Sequence, residues 1–224
     1  MTCFADFCLL LKQTNLMKNF LLSFSVAFLL TLGAHAQTSY GVKAGLTLPK
    51  IKLTSDAANM SYTSNASTNF YLGGYASIFA VPNFAIQPGL SLQGKGGEVN
   101  VGDFQVDASG SATISILSIE IPVNAVYYIP TGTAGSVFIG AGPYLGFNLS
   151  AKAKSGNFSQ DINIGSGVQE IKRIDYGANF LGGYKLSGGF LFNVGYGLGI
   201  SNMDNTDDPV EKNRVLSFGV GFEF

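Results

Sequence analysis

From residue 40 to the last residue, apolar side chains recur at every second position, in eight segments of strand length. The last is the cleanest. Leu216, Phe218, Val220, Phe222 and Phe224 alternate with Ser217, Gly219, Gly221 and Glu223. The other seven cover 40–48, 70–80, 84–93, 119–129, 137–149, 174–186 and 190–200. No window in this region repeats apolar residues at i, i+3, i+4, i+7 over three turns, so no helix is expected. The apolar faces carry no charge, no amide and no hydroxyl except that of Tyr, whereas the opposite faces hold Lys43, Glu120, Asp175, Lys185 and Glu223.

About ten residues rising 3.3 Å each, tilted near 40°, climb roughly 25 Å, the height of an outer-membrane apolar band. Connections alternate between long (49–69, 93–118, 150–173, 201–215) and short (81–83, 130–136, 187–189). This pattern predicts an all-β fold: a closed eight-stranded antiparallel transmembrane β-barrel, wound as an up-and-down meander. Both termini are expected in the periplasm, with the long loops extracellular. An even strand count lets the last strand pair with the first and leaves no edge in lipid. The alternative is a soluble lipocalin-like binder with its apolar face turned inward around a ligand. Glycine argues against it, because fourteen positions on the polar face are Gly. Glycine is a poor exterior choice on a strand, but inside a narrow barrel it makes room for large side chains.

Ahead of the strands, Met17-Lys18-Asn19 precedes an apolar run over 20–32 and then Gly33-Ala34-His35-Ala36. A positive start, a short apolar core and an Ala-x-Ala ending read as a cleavable secretory signal peptide. The core falls short of the roughly 20 residues a spanning helix needs. Residues 1–36 are therefore assigned to leader and signal peptide, with Met17 favoured as the true start, and 37–224 to the barrel domain. Cleavage would remove Cys3, Cys8 and His35, the full complement of Cys and His. Disulfides, thiol nucleophiles, His-based zinc sites and catalytic triads are thereby excluded from the mature chain. No enzyme, cofactor or metal is expected.

Only 12% of the 224 residues are charged, against about 25% in ordinary soluble domains. Thirteen basic residues balance 14 acidic ones, which rules out a polybasic nucleic-acid surface. Eight strands enclose just enough space for side chains, so the lumen is expected to be filled. Lys43, Lys185 and Arg173 are candidate partners for Glu120, Asp175 and Glu223, because a buried charge is tolerated only when paired. Gln87, Gln93, Asn124, Asn148, Asn179 and Asn193 supply hydrogen bonds. The expected polar cluster is Lys43, Gln87, Glu120, Asn124, Asp175, Asn179, Lys185 and Glu223, a structural plug or else a proton or solute path. Asp204, Asp207, Asp208 and Glu211 crowd the last long loop without the spacing of a calcium loop and read as a solvated acidic tip. Lys152, Lys154, Lys172 and Arg173 suit contact with acidic lipopolysaccharide, or are an ordinary charged loop.

Several stretches resemble the PorT-like outer-membrane β-barrel domain of Gram-negative bacteria. They are Tyr40-Gly-Val-Lys-Ala-Gly-Leu46, Gln87-Pro-Gly-Leu-Ser-Leu-Gln-Gly-Lys-Gly-Gly97, Ile119-Glu-Ile-Pro-Val123, Gly142-Pro-Tyr-Leu-Gly146 and Asp175-Tyr-Gly-Ala-Asn179. The resemblance implies an outer-membrane location and an eight-stranded barrel; its namesake is associated with a protein-secretion system. Phe224, with Phe222 and Phe218 at alternate positions, resembles the signal read by the barrel-assembly machinery during biogenesis. The expected function is that of an integral outer-membrane barrel acting structurally or through partners at its extracellular loops. A narrow channel for ions or small solutes is the alternative within the membrane.

Overall fold

The computed structural model describes residues 38–100, 111–167, 170–206 and 208–224. The leader, the signal peptide and Met17 lie outside the described residues. Alternation has become ten strands: β1 (Thr38–Ser55), β2 (Met60–Thr63), β3 (Asn69–Val81), β4 (Phe84–Asn100), β5 (Ser111–Pro130), β6 (Gly135–Ser155), β7 (Phe158–Ile162), β8 (Ile174–Leu186), β9 (Phe190–Gly199) and β10 (Val210–Glu223). Eight of them close a ring in the order β1-β3-β4-β5-β6-β8-β9-β10, each antiparallel to its neighbours. Closure runs along β1 and β10, from Gly41↔Glu223 to Thr54↔Val210. Among the described residues β2 pairs only with β1, and β7 only with β6, so both prolong hairpins at one end. At the other end the turns are tight. Pro82-Asn83 joins β3 to β4 with Asn83 at φ 68°, a left-handed conformation that Asn tolerates.

The apolar faces point outward. Leu46, Phe192 and Phe218 are 57%, 56% and 45% exposed, with Val42, Leu72, Leu90, Ile121, Ile139 and Tyr176 exposed beside them. This is the reverse of a lipocalin, whose apolar face encloses its ligand. Inward positions are polar, small or aromatic apart from a local apolar cluster that includes Val126, Phe138 and Leu191, and two glycines show how the large rings fit. A Cβ on Gly41 would sit 2.4 Å from the Tyr75 ring, and one on Gly177 would sit 2.7 Å from the Tyr144 ring. Both residues make room for a tyrosine lying across the lumen.

Among the described residues the expected long loops at 49–69 and 93–118 are largely strand, and 150–173 holds the end of β6 and the whole of β7. β1, β4, β5, β6 and β10 all extend beyond the predicted segments at this end, and in the extensions the two faces exchange character. On β1 the outward series Val42, Ala44, Leu46, Leu48 continues as Lys50, Lys52, Thr54. The inward series Lys43, Gly45, Thr47 continues as Pro49, Ile51, Leu53. Above the lipid band the outside is water, so charge goes out and apolar side chains go in. On β6 the exchange comes about differently: a register shift opposite Leu117/Ser118 flips which positions face the lumen, turning Ala151 inward and Lys152 outward.

Inside the extension Ile116, Ala151 and Met203 form a second apolar core, packed by Ile114, Ile162, Ile164 and Ile171. The connections that cross it are tied together. Asn205 Nδ2 donates to the carbonyls of Gly165, Gly167 and Glu170 at 3.3, 2.9 and 2.8 Å, and Lys172 N donates to Met203 O.

Candidate functional site

Two charge clusters fill the barrel, one towards each end. Near the short turns, β10 presents Glu223 and β8 presents Lys185 across from it, and the two form an ion pair. The Glu223 carboxylate also accepts from Ser39 Oγ (3.2 Å), Tyr75 OH (3.1 Å), Ser77 Oγ (3.1 Å) and Tyr128 OH (3.4 Å). Gln87 Nε2 donates to Ser77 Oγ and Tyr128 OH at 2.9 and 2.8 Å. The Lys185 ammonium lies 5.1 Å from the Tyr128 ring centre, and Ala85, Val126, Tyr128, Phe138 and Leu191 pack beside it. Five donors for one carboxylate are what a desolvated anion requires.

Nearer the long connections, Lys95 of β4 sits between Glu120 of β5 and Asp175 of β8, paired with both. All three are nearly inaccessible. Tyr144 OH donates to Asp175 Oδ2 at 3.2 Å, Ser201 Oγ donates to Asp175 Oδ1, and the Lys95 ammonium lies 4.7 Å from the Tyr144 ring centre. Lys95 was missed in the sequence because Gly94-Lys95-Gly96-Gly97 reads as a turn. Its signal was the inward series Gln87, Gly89, Ser91, Gln93, which it continues.

The other expected partners fall differently. Lys43 is turned into the lumen over the Tyr75 ring at 5.4 Å and, among the described residues, forms no ion pair. Arg173 sits outside both clusters, and its Nη2 donates to Ile164 O at 3.3 Å. Between the clusters Lys43, Gln87, Glu120, Asn124, Asn179 and Asn193 border a cavity of about 60 Å³, room for a few water molecules. Asn193 Oδ1 accepts from Tyr71 OH at 3.0 Å, and Asn124 Oδ1 has no donor among the described residues. Asn148 Nδ2 donates to Lys172 O.

In the acidic tip, Asp204 accepts from Asn205 N and Thr206 Oγ1, and Asp208 Oδ2 accepts from Ser55 Oγ and Ala57 N. Asp207 lies outside the described residues. Glu211 stands in the extension opposite Leu53, and burial, followed by the Asp204 charge, raises its carboxyl above the ordinary 4.5. Lys152 pairs with Asp161 at 3.6 Å on the exposed outer face. The terminal Phe218 and Phe224 point outward, and Phe222 packs edge-on against Phe190 at 5.0 Å.

A family profile described as outer membrane protein beta-barrel domain matches residues 35–205. No curated protein matches the chain. Among solved structures it is similar to Ail, the attachment invasion locus protein of Yersinia pestis, at 12% identity and a TM-score of 0.42, over 84% of this chain and 99% of that one. It is similar to Neisserial surface protein A at 14% identity and a TM-score of 0.44, over 84% and 99%. OprG from Pseudomonas aeruginosa gives 14% identity and a TM-score of 0.44, over 85% and 97%.

Proposed function

The chain belongs to the outer membrane protein beta-barrel domain family, and from that premise we propose that it is a non-conducting, non-catalytic barrel that acts through its rim. The observation that carries this reading is the pairing of Lys95 with Glu120 and Asp175, and of Lys185 with Glu223, across the lumen. Opening a path would separate these charges in a poorly solvated interior, which is costly. The lumen is a plug, and the extended hairpins with their second core are the part built to meet partners. The termini face the periplasm, and the long connections face outward.

Planar-bilayer recordings of the purified protein are expected to show no conductance steps. Regular steps would replace this reading with that of a narrow channel. The PorT-like segments support a place in that branch of the family and a link to protein secretion; affinity capture of the tagged chain from detergent-solubilised membranes tests this through recovery of secretion components. The leader is removed after Ala36, and the alternating Phe218, Phe222 and Phe224 serve the assembly machinery.

A further inference from the structure

The seam where the barrel closes carries four cations that face one another. On the outer surface, just past the apolar pairs Leu46↔Phe218 and Leu48↔Leu216, the register sets Lys50 opposite Arg214 and Lys52 opposite Lys212. Their inward neighbours Ile51, Asn213 and Val215 are buried, so all four side chains belong to the outer face. Like charges directly opposite on one face repel, and sheets ordinarily avoid them. Among the described residues none of the four forms an ion pair. Asp208, nearby in the chain, turns its Oδ2 to Ser55 and Ala57. Arg214 commits Nη1 to the carbonyls of Gly199 and Asn213, at 2.7 and 3.0 Å, leaving its other N–H groups uncommitted among the described residues.

The rest of the rim is arranged otherwise. Lys152 stands opposite Asp161 and Ser115, and Lys154 opposite Ser159 and Thr113. Among the described residues cation faces cation only at the β1–β10 seam, and the placement is specific. At about 3.3 Å per residue, Lys50 lies one outward position above Leu48, where acyl chains give way to headgroups. A polybasic patch at that level gains from anionic headgroups, and phosphate oxygens accept charge-assisted bonds from Lys and Arg together.

We propose that Lys50, Lys52, Lys212 and Arg214 form a binding site for the phosphate groups of an anionic lipid headgroup in the leaflet beside the long connections. The bound phosphates supply the negative charge that the protein withholds, so the closing seam is stabilised by its own membrane. This rests on the proposed membrane orientation.

The full-length protein is purified from membranes in mild detergent, and lipid retention is read by native mass spectrometry with a bis-phosphorylated lipid A as probe. Wild type is expected to retain it at least tenfold better than its dephosphorylated form. K50Q/K52Q/K212Q/R214Q should lose that preference, while K152Q/K154Q keeps it. Lys52→Glu supplies a protein anion opposite Lys212, so it should raise the unfolding midpoint yet weaken retention, opposite signs that a purely structural role would not give. Equal retention by the quadruple variant, no preference for phosphate in wild type, or equal competition by inorganic pyrophosphate would overturn the proposal. Heat-modifiable electrophoretic mobility confirms that each variant is a folded barrel. A wild-type chain found outside the membrane fraction would count instead against the membrane reading.

Discussion

One strand, β1, passes through two solvents and reverses its faces between them. From Val42 to Leu48 it shows lipid an unbroken apolar row and keeps Lys43, Gly45 and Thr47 inside. From Pro49 onward it shows Lys50 and Lys52 outside and buries Ile51. The lower barrel is held by paired charges with a small cluster around Val126, Tyr128 and Phe138; the upper barrel is held like a soluble domain, by Ile116, Ala151 and Met203. The difference teaches that the surrounding solvent, rather than the strand, decides which face is apolar. A charge placed on the outer face should therefore be costly in one region and tolerated in the other.

The strongest way to break the lower region is Lys95→Met. It leaves Glu120 and Asp175 buried together without a cation, an expected cost of about 3–5 kcal/mol in detergent-based urea unfolding. In the upper region the matching blow is Ile116→Ala, expected to cost about 2–5 kcal/mol. Hydrogen exchange should place that loss in the extension, with the Glu223 cluster still protected. Leu46→Arg sharpens the contrast on the outer face. It puts a charge into the apolar band at about 2–4 kcal/mol, whereas Thr54→Arg, on the same face above the band, should change the midpoint by less than about 0.5 kcal/mol.

The smallest effect is at Glu211. Its carboxyl is raised in the folded barrel by burial and by Asp204, so the folded state holds the proton more tightly than the unfolded chain does. The contribution of this group is fullest below 4.5 and declines as pH rises from there through the raised value. Glu211→Gln should flatten that decline and stabilise the rim by less than about 1 kcal/mol at neutral pH.

The membrane-spanning half was legible because a two-residue period in a single surrounding solvent leaves a clean trace. All eight apolar faces point as read, and segment 174–186 coincides with β8. The extensions were not legible for the same reason. Where the faces exchange at Leu48/Pro49 a fixed period and polarity stop matching and the strand reads as loop. On β6 the register shift beyond Asn148 swaps the faces although Leu149, Ala151 and Ala153 keep the sequence period. That Lys185 and Glu223 both face the lumen followed from alternation within predicted strands, which left open which cation meets which carboxylate. The cation for Glu120 and Asp175 did not, because Lys95 lay among glycines beyond the predicted strand end, and Lys43 and Arg173 stood in its place in the sequence reading.

The central claim is the reversal along β1, and spin-label accessibility tests it most directly. Single cysteines at positions 42, 44, 46, 48, 50 and 52, with Cys3 and Cys8 replaced by Ser, are labelled in lipid bilayers. Each is compared for collisions with oxygen, which concentrates in lipid, and with a water-borne nickel chelate. The first four labels should favour oxygen and the last two the chelate, with the crossover between 48 and 50. Chelate collisions dominating at 44 and 46 would contradict the account.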